Sequence, residues 1–178
     1  MNVFEKLSIP FPPSKIHWRI GRKSKKKDKA TALAYVDARD IMDRLDSVLG
    51  AARWKDDYTA EPPRKVRKLC NKTNAYYYEE ICGRVKCSLS VRDDAGEWIT
   101  KCDAAGETNV EGEKGGYSDA LKRAAVKFGI GRDLYRIKSF YYPIDDFGNF
   151  TQTPNLPPEY LDKLTKMKEQ LKEEKKNG

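Results

Sequence analysis

Gly115-Gly116-Tyr117-Ser118-Asp119-Ala120-Leu121-Lys122-Arg123-Ala124-Ala125-Val126-Lys127-Phe128-Gly129-Ile130-Gly131 reads as a capped helix with two unlike faces. Ser118 is the expected N-cap, Asp119 suits the positive end of the helix dipole, and Gly129 or Gly131 closes the C-terminus. Leu121, Ala124, Ala125 and Phe128 recur at helical spacing and form the face to be buried. Arg123 and Lys127 stand one turn apart on the other side, with Lys122 at its edge. Small alanines allow close packing, and the basic face that remains suits phosphate groups. The pattern points to a nucleic-acid contact carried on a rigid element.

Working outward, the preceding segment reads as strands. Val85, Cys87, Leu89 and Val91 alternate with Lys86, Ser88, Ser90 and Arg92, the pattern of a half-buried strand within an aromatic, β-branched run from Tyr76 to Val91. Asp93-Asp94-Ala95-Gly96 marks a turn, and Trp98 to Cys102 returns as the second strand of an antiparallel hairpin. A short strand from Trp54 to Tyr58 precedes them, interrupted by Glu61-Pro62-Pro63. Asp103 to Gly116 is the expected connection into the helix. On the N-terminal side, residues 1–13 predict a short helix and a Pro-rich segment, and Lys15 to Ile20 a strand. Ala30 to Leu49 predicts the first long helix, with Ala34, Ala38, Ile41, Leu45 and Val48 as its stripe. Ile137 to Ile144 suggests an edge strand. Pro157 to Lys176 suggests a charged helix with Leu161, Leu164, Met167 and Leu171 along one side.

Composition narrows the function classes. The 178 residues carry a net charge of +8, which favours a polyanionic partner. No apolar run is long enough to span a bilayer, and Met1 to Leu7 lacks a signal-peptide core, so a cytoplasmic protein is expected. The four cysteines form no Cys-x-x-Cys pair and His17 is the only histidine. A zinc site would therefore need an unusual ligand set; no metal is expected, and buried free thiols are. No P-loop occurs, and His17 alone gives no basis for a Ser/His/Asp set. Asp93, Asp94, Glu97, Lys101 and Asp103 leave a metal-dependent nuclease conceivable, although the turn accounts for Asp93 and Asp94 more simply. Two further basic segments suit a phosphate backbone. One is the loop Gly21–Lys29, with Lys25, Lys26 and Lys27; the other is Arg64–Lys72, with Arg64, Lys65 and Arg67. Tyr76, Tyr77 and Tyr78 are candidates for base stacking, with alternation setting Tyr76 and Tyr78 on one face and Tyr77 on the other.

Two blocks resemble the single-strand annealing domain of the Rad52 family of recombination proteins, particularly its short bacterial and phage members. One block runs from Ala34-Tyr35-Val36-Asp37-Ala38-Arg39-Asp40-Ile41-Met42-Asp43-Arg44-Leu45 to Gly50 and Trp54. The other runs from Val85-Lys86-Cys87-Ser88-Leu89 through Trp98 and Asp103-Ala104-Ala105-Gly106-Glu107 to Ser118-Asp119-Ala120-Leu121-Lys122-Arg123-Ala124, Phe128-Gly129 and Leu134-Tyr135. The resemblance implies an α+β fold with an antiparallel β-β-β-α core packed with helices. It also implies assembly into an oligomeric ring with a basic outer groove, and ATP-independent annealing of single-stranded DNA with no cofactor. Lys122 and Arg123 match the family's basic pair in the groove-lining helix, Lys127 fits the same face, and Arg39 lies near the basic position of the first helix. The expected division is an annealing domain over residues 1–150 and a charged helix or tail over 151–178, with no room for a long recombinase-binding tail. Expected partners are single-stranded DNA, further copies of the chain and a host or phage single-strand-binding protein. A passive single-strand-binding protein is the alternative reading, with the nuclease behind it.

Overall fold

The computed structural model describes residues 1–70, 73–81, 83–106 and 112–177. The chain forms two compact units, one from Met1–Gly50 with Val126–Gly178 and the other from Ala51–Ala125. Both mix helices with antiparallel sheet, so the fold class is α+β.

The first unit begins with α1 (Val3–Leu7). Its capping box is complete: Glu5 N–H donates to Asn2 Oδ1 at 2.9 Å, and Asn2 N–H donates to Glu5 Oε2 at 2.7 Å. A Pro-rich segment leads to the hairpin β1 (His17–Lys23) and β2 (Lys29–Tyr35), and then to α2 (Ala38–Leu49). The helix expected over Ala30–Leu49 is thus a strand followed by a shorter helix. Alanine fits either period. In Lys29–Tyr35 strand pairing decides, burying Ala30 and Ala32 on alternate positions, while Asp37 adopts the extended N-cap conformation before Ala38. The basic loop is likewise shorter than expected, because β1 continues to Lys23 past a register irregularity between Ile20 and Lys23.

The second unit contains β3 (Trp54–Glu61), β4 (Arg64–Leu69), β5 (Tyr76–Ile81), β6 (Arg84–Arg92) and β7 (Trp98–Gly106). It also holds most of α3 (Gly112–Lys127), which runs on into the first unit. The sheet order is β3-β6-β7, all antiparallel. The run Tyr76–Val91 is two strands rather than one, since β5 turns away to pair with β4 as a separate two-stranded ribbon. The expected hairpin is present. Asp93 Oδ1 accepts from Ala95 and Glu97 N–H, both at 2.9 Å, and Gly96 takes a φ of +88°.

The central strand carries the core. Val85, Cys87, Leu89 and Val91 are each at most 1% exposed. Leu121, Ala124, Ala125 and Phe128 are buried, as the helical spacing predicts, and so is Ala120. The helix begins at Gly112, so Ser118 is an interior residue and not the N-cap. The extra length is possible because Gly116 has no side chain: a Cβ there would come within 3.1 Å of Val85 Cγ2. Gly129, with φ +97°, ends the helix as expected, its N–H donating to Val126 O at 3.0 Å.

The chain then returns to the first unit. There β8 (Tyr141–Pro143) adds to β2, and α4 (Pro158–Asn177) buries Tyr160 and Leu164. Two polar anchors hold this unit. Arg44 of α2 donates to the carbonyls of Leu7 and Ile9 at 3.2 and 2.5 Å and lies 4.4 Å over the Phe11 ring. Tyr160 donates to the Phe11 carbonyl at 2.9 Å. Among the described residues, no helix is long and apolar enough to cross a membrane.

Burial pushes the Tyr160 hydroxyl up to about 12 from an ordinary value of 10. Between pH 10 and 12 the unfolded chain loses this proton while the folded chain keeps it, so stability falls as pH rises through that window. Tyr160→Phe should cost about 1 kcal/mol at pH 7 and fall less steeply than the wild type above pH 10, measured by urea unfolding at both pH values.

Candidate nucleic-acid interface

Helix α3 is fixed to its sheet by one face and presents cations from another. Tyr117 packs on Tyr58 of β3 with ring centroids 5.0 Å apart, and Tyr58 donates to Asp56 Oδ2 at 2.7 Å. Burial of Tyr58 holds its hydroxyl protonated well beyond the ordinary tyrosine range, so this contact carries no charge. On the opposite edge Arg123 Nε donates to Asp103 Oδ1 of β7 at 3.3 Å. Lys122 lies 3.6 Å from Asp119 on its own helix. The two cations thus sit on a rigid element with partly exposed side chains, 27% for Lys122 and 46% for Arg123. An Arg held through Nε keeps its terminal nitrogens as donors, the geometry suited to phosphate oxygens.

The other sequence-predicted cations are distributed. Arg64, Lys65 and Arg67 lie exposed on β4 of the same unit. Arg39 lies on α2 of the other unit, Lys127 is exposed where α3 has entered that unit, and Lys25, Lys26 and Lys27 form its β1–β2 turn. In this turn Ser24 Oγ donates to Asp28 Oδ1 at 2.7 Å, which with Lys29 and Lys26 holds the Asp28 carboxyl below its usual range.

A further cationic cluster is not visible from the sequence. The face of the β3-β6-β7 sheet opposite Val85, Cys87, Leu89 and Val91 carries Trp98, with Lys55 Nζ 4.8 Å and Arg92 Cζ 5.0 Å from its ring centroids. Lys55 and Arg92 are separated in sequence, and only the strand register brings them to one indole. Arg44 is the converse case: it is a cation spent on structure, with its pKa lowered by burial.

Two of the acids considered for metal chemistry have structural partners. Asp93 closes the hairpin, and Asp103 binds Arg123 and the Ala104 N–H. Among the described residues, His17, Asp37 and Asp40 bring ligand-type atoms within 4.8 Å of one another. Lys15 Nζ lies 2.7 Å from Asp40 Oδ1 there and supplies the positive charge a cation would bring. Of the cysteines, Cys87 is buried, and burial pushes its thiol up to about 11 from 9; Cys70 and Cys102 are half-buried, and neither is in a disulfide. Cys82 lies outside the described residues.

Comparison with known proteins finds relatives and a family for this chain. The chain is 32% identical to the single-stranded DNA-binding protein DdrA of Deinococcus deserti over 158 residues, 89% of this chain and 67% of that protein. It is 32% identical to the DdrA protein of Deinococcus radiodurans over 145 residues, 82% of this chain and 60% of that one. The family model described as Rad52/22 family double-strand break repair protein matches residues 1–142, which include every cation placed above, and the chain belongs to that family.

Proposed function

We propose that this protein binds single-stranded DNA and anneals complementary strands, without ATP, in homologous recombination and double-strand break repair. The observation that carries the reading is the mounting of Lys122 and Arg123. They project from a helix whose other face is locked to a sheet, in a chain of the Rad52/22 family. Cations on a fixed element hold a backbone extended through its phosphates and leave base edges free to test a second strand. Pairing and stacking in the new duplex supply the driving free energy, so no nucleotide hydrolysis or metal chemistry is required.

Lys127 and Arg39 would add phosphate contacts on the first unit, and the Lys25–Lys27 turn and the Arg64–Arg67 strand would add others. One chain holds few such contacts. A ring of copies would multiply them by avidity, and the net charge of +8 per chain supports a long polyanion as the ligand. The annealing domain would then take in residues 1–150, with 151–178 as its charged C-terminal helix. The DdrA relatives, named as single-stranded DNA-binding proteins, favour a second reading, in which the protein covers single strands without pairing them.

One experiment separates the two. Complementary oligonucleotides should pair faster with the protein than without it, in EDTA and without ATP, both strands remaining intact. Light scattering on the same sample should give a mass many times that of one chain. Slower pairing in the presence of protein would establish the passive reading, and cleavage with Mg²⁺ would establish the nuclease. Replacing Lys122 and Arg123 together by Ala should weaken single-strand binding. It should also flatten the dependence of log affinity on log salt by roughly 0.7 for each phosphate that is no longer neutralised. An unchanged slope in the folded variant would remove these two residues from the interface.

A further inference from the structure

The ribbon of β4 and β5 stands outside the three-stranded sheet, and its sequence is unusual for a surface hairpin. Arg64-Lys65-Val66-Arg67-Lys68-Leu69 pairs with a strand that opens Tyr76-Tyr77-Tyr78. Exposed tyrosines in succession have no packing role to explain them. The register sorts them. Arg67 is opposite Tyr78 and Leu69 opposite Tyr76, so these four side chains share one face with Lys65 two positions along. Tyr77 falls on the other face opposite Lys68, whose ammonium is paired with Glu79 at 2.5 Å.

The first face has two flat surfaces. The Arg67 guanidinium lies 3.8 Å from the centroid of the Tyr76 ring, and Tyr78 is 72% exposed beside it. Tyr76 is itself 61% exposed. A base stacks on an aromatic ring or on a guanidinium plane, and Lys65 on the same face can meet the phosphate between two bases. Double-stranded DNA keeps its bases stacked on one another and cannot use this surface.

We infer that the β4–β5 ribbon is a base-stacking arm for single-stranded nucleic acid, with Tyr76, Tyr78 and Arg67 as its stacking surfaces and Tyr77 outside it. The assignment rests on the single-strand reading above. It adds a different chemistry to the phosphate contacts of α3 and of Arg64 and Lys65, since Tyr76, Tyr78 and Arg67 take bases. A few bases would be gripped here while those along the phosphate contacts stay free.

The test uses the full chain and two probes of equal length, an oligothymidylate and an abasic sugar–phosphate oligomer, read by fluorescence anisotropy. Tyr76→Ala with Tyr78→Ala should bind oligothymidylate roughly tenfold more weakly, keep its affinity for the abasic probe and keep the wild-type salt slope. Tyr76→Phe with Tyr78→Phe should retain most of the binding, and Tyr77→Ala should bind as the wild type does. Equal losses on both probes, no loss on either, or a loss accompanied by a change in assembly mass would overturn the assignment, the last by making the ribbon a protein contact. The result is independent of strand pairing. A protein that binds without annealing would still show the difference between the probes, whereas the Lys122/Arg123 variant should weaken both.

Discussion

The close approach of α3 to the central strand of its sheet is the constraint on which the rest depends. Gly116 lets the helix backbone come down on Val85, and Ala120, Ala124 and Ala125 continue the small-residue face. Closely packed, that face has one seating, because small residues leave no slack to be taken up by side-chain rotation. Tyr117 on Tyr58 and Arg123 on Asp103 hold it at either side. The direction in which Lys122 and Arg123 point is therefore a property of the packing rather than of their own flexible stems. A single strand of DNA supplies no shape of its own, so the protein must supply it, and a helix fixed in this way can.

The same arrangement suits the proposed annealing, which needs binding alone. Phosphates are the uniform part of a strand and bases the informative part. Binding through phosphates leaves the information available, while stacking a few bases on the ribbon limits sliding without hiding the strand. Trp98 between Lys55 and Arg92 adds a third patch of positive charge and aromatic surface to the same unit. Of the nearby acids, Asp93 closes the hairpin turn and Asp103 is paired with Arg123.

Much of this is legible in the sequence, and what is not has identifiable causes. The two faces of α3 and the β6–β7 hairpin follow from local patterns: helical spacing in one, alternation with an Asp-Asp-Ala-Gly turn in the other. Ser118 resembles an N-cap because a glycine-rich stretch reads locally as a loop, whereas in the structure that stretch is the start of α3. Lys29–Tyr35 merges with the following helix because alanine carries no period of its own, and pairing with β1 and β8 decides. The ribbon is hidden by the continuous aromatic and β-branched run. Arg44 and Tyr160 reveal nothing locally, since their partners at Leu7, Ile9 and Phe11 are far away in the chain. Among the site residues, Lys122 and Arg123 stand out from one segment, whereas the Lys55, Trp98 and Arg92 cluster requires the register.

The central claim is that the exposed edge of α3 meets the DNA backbone. Amine acetylation of the full protein, with and without a single-stranded oligonucleotide and mapped by mass spectrometry, tests it residue by residue. The account predicts strong protection of Lys122 on binding, with Lys166, Lys168 and Lys172 of α4 modified as before. Binding that leaves Lys122 as reactive as in the free protein, while the lysines of α4 become protected, would contradict it.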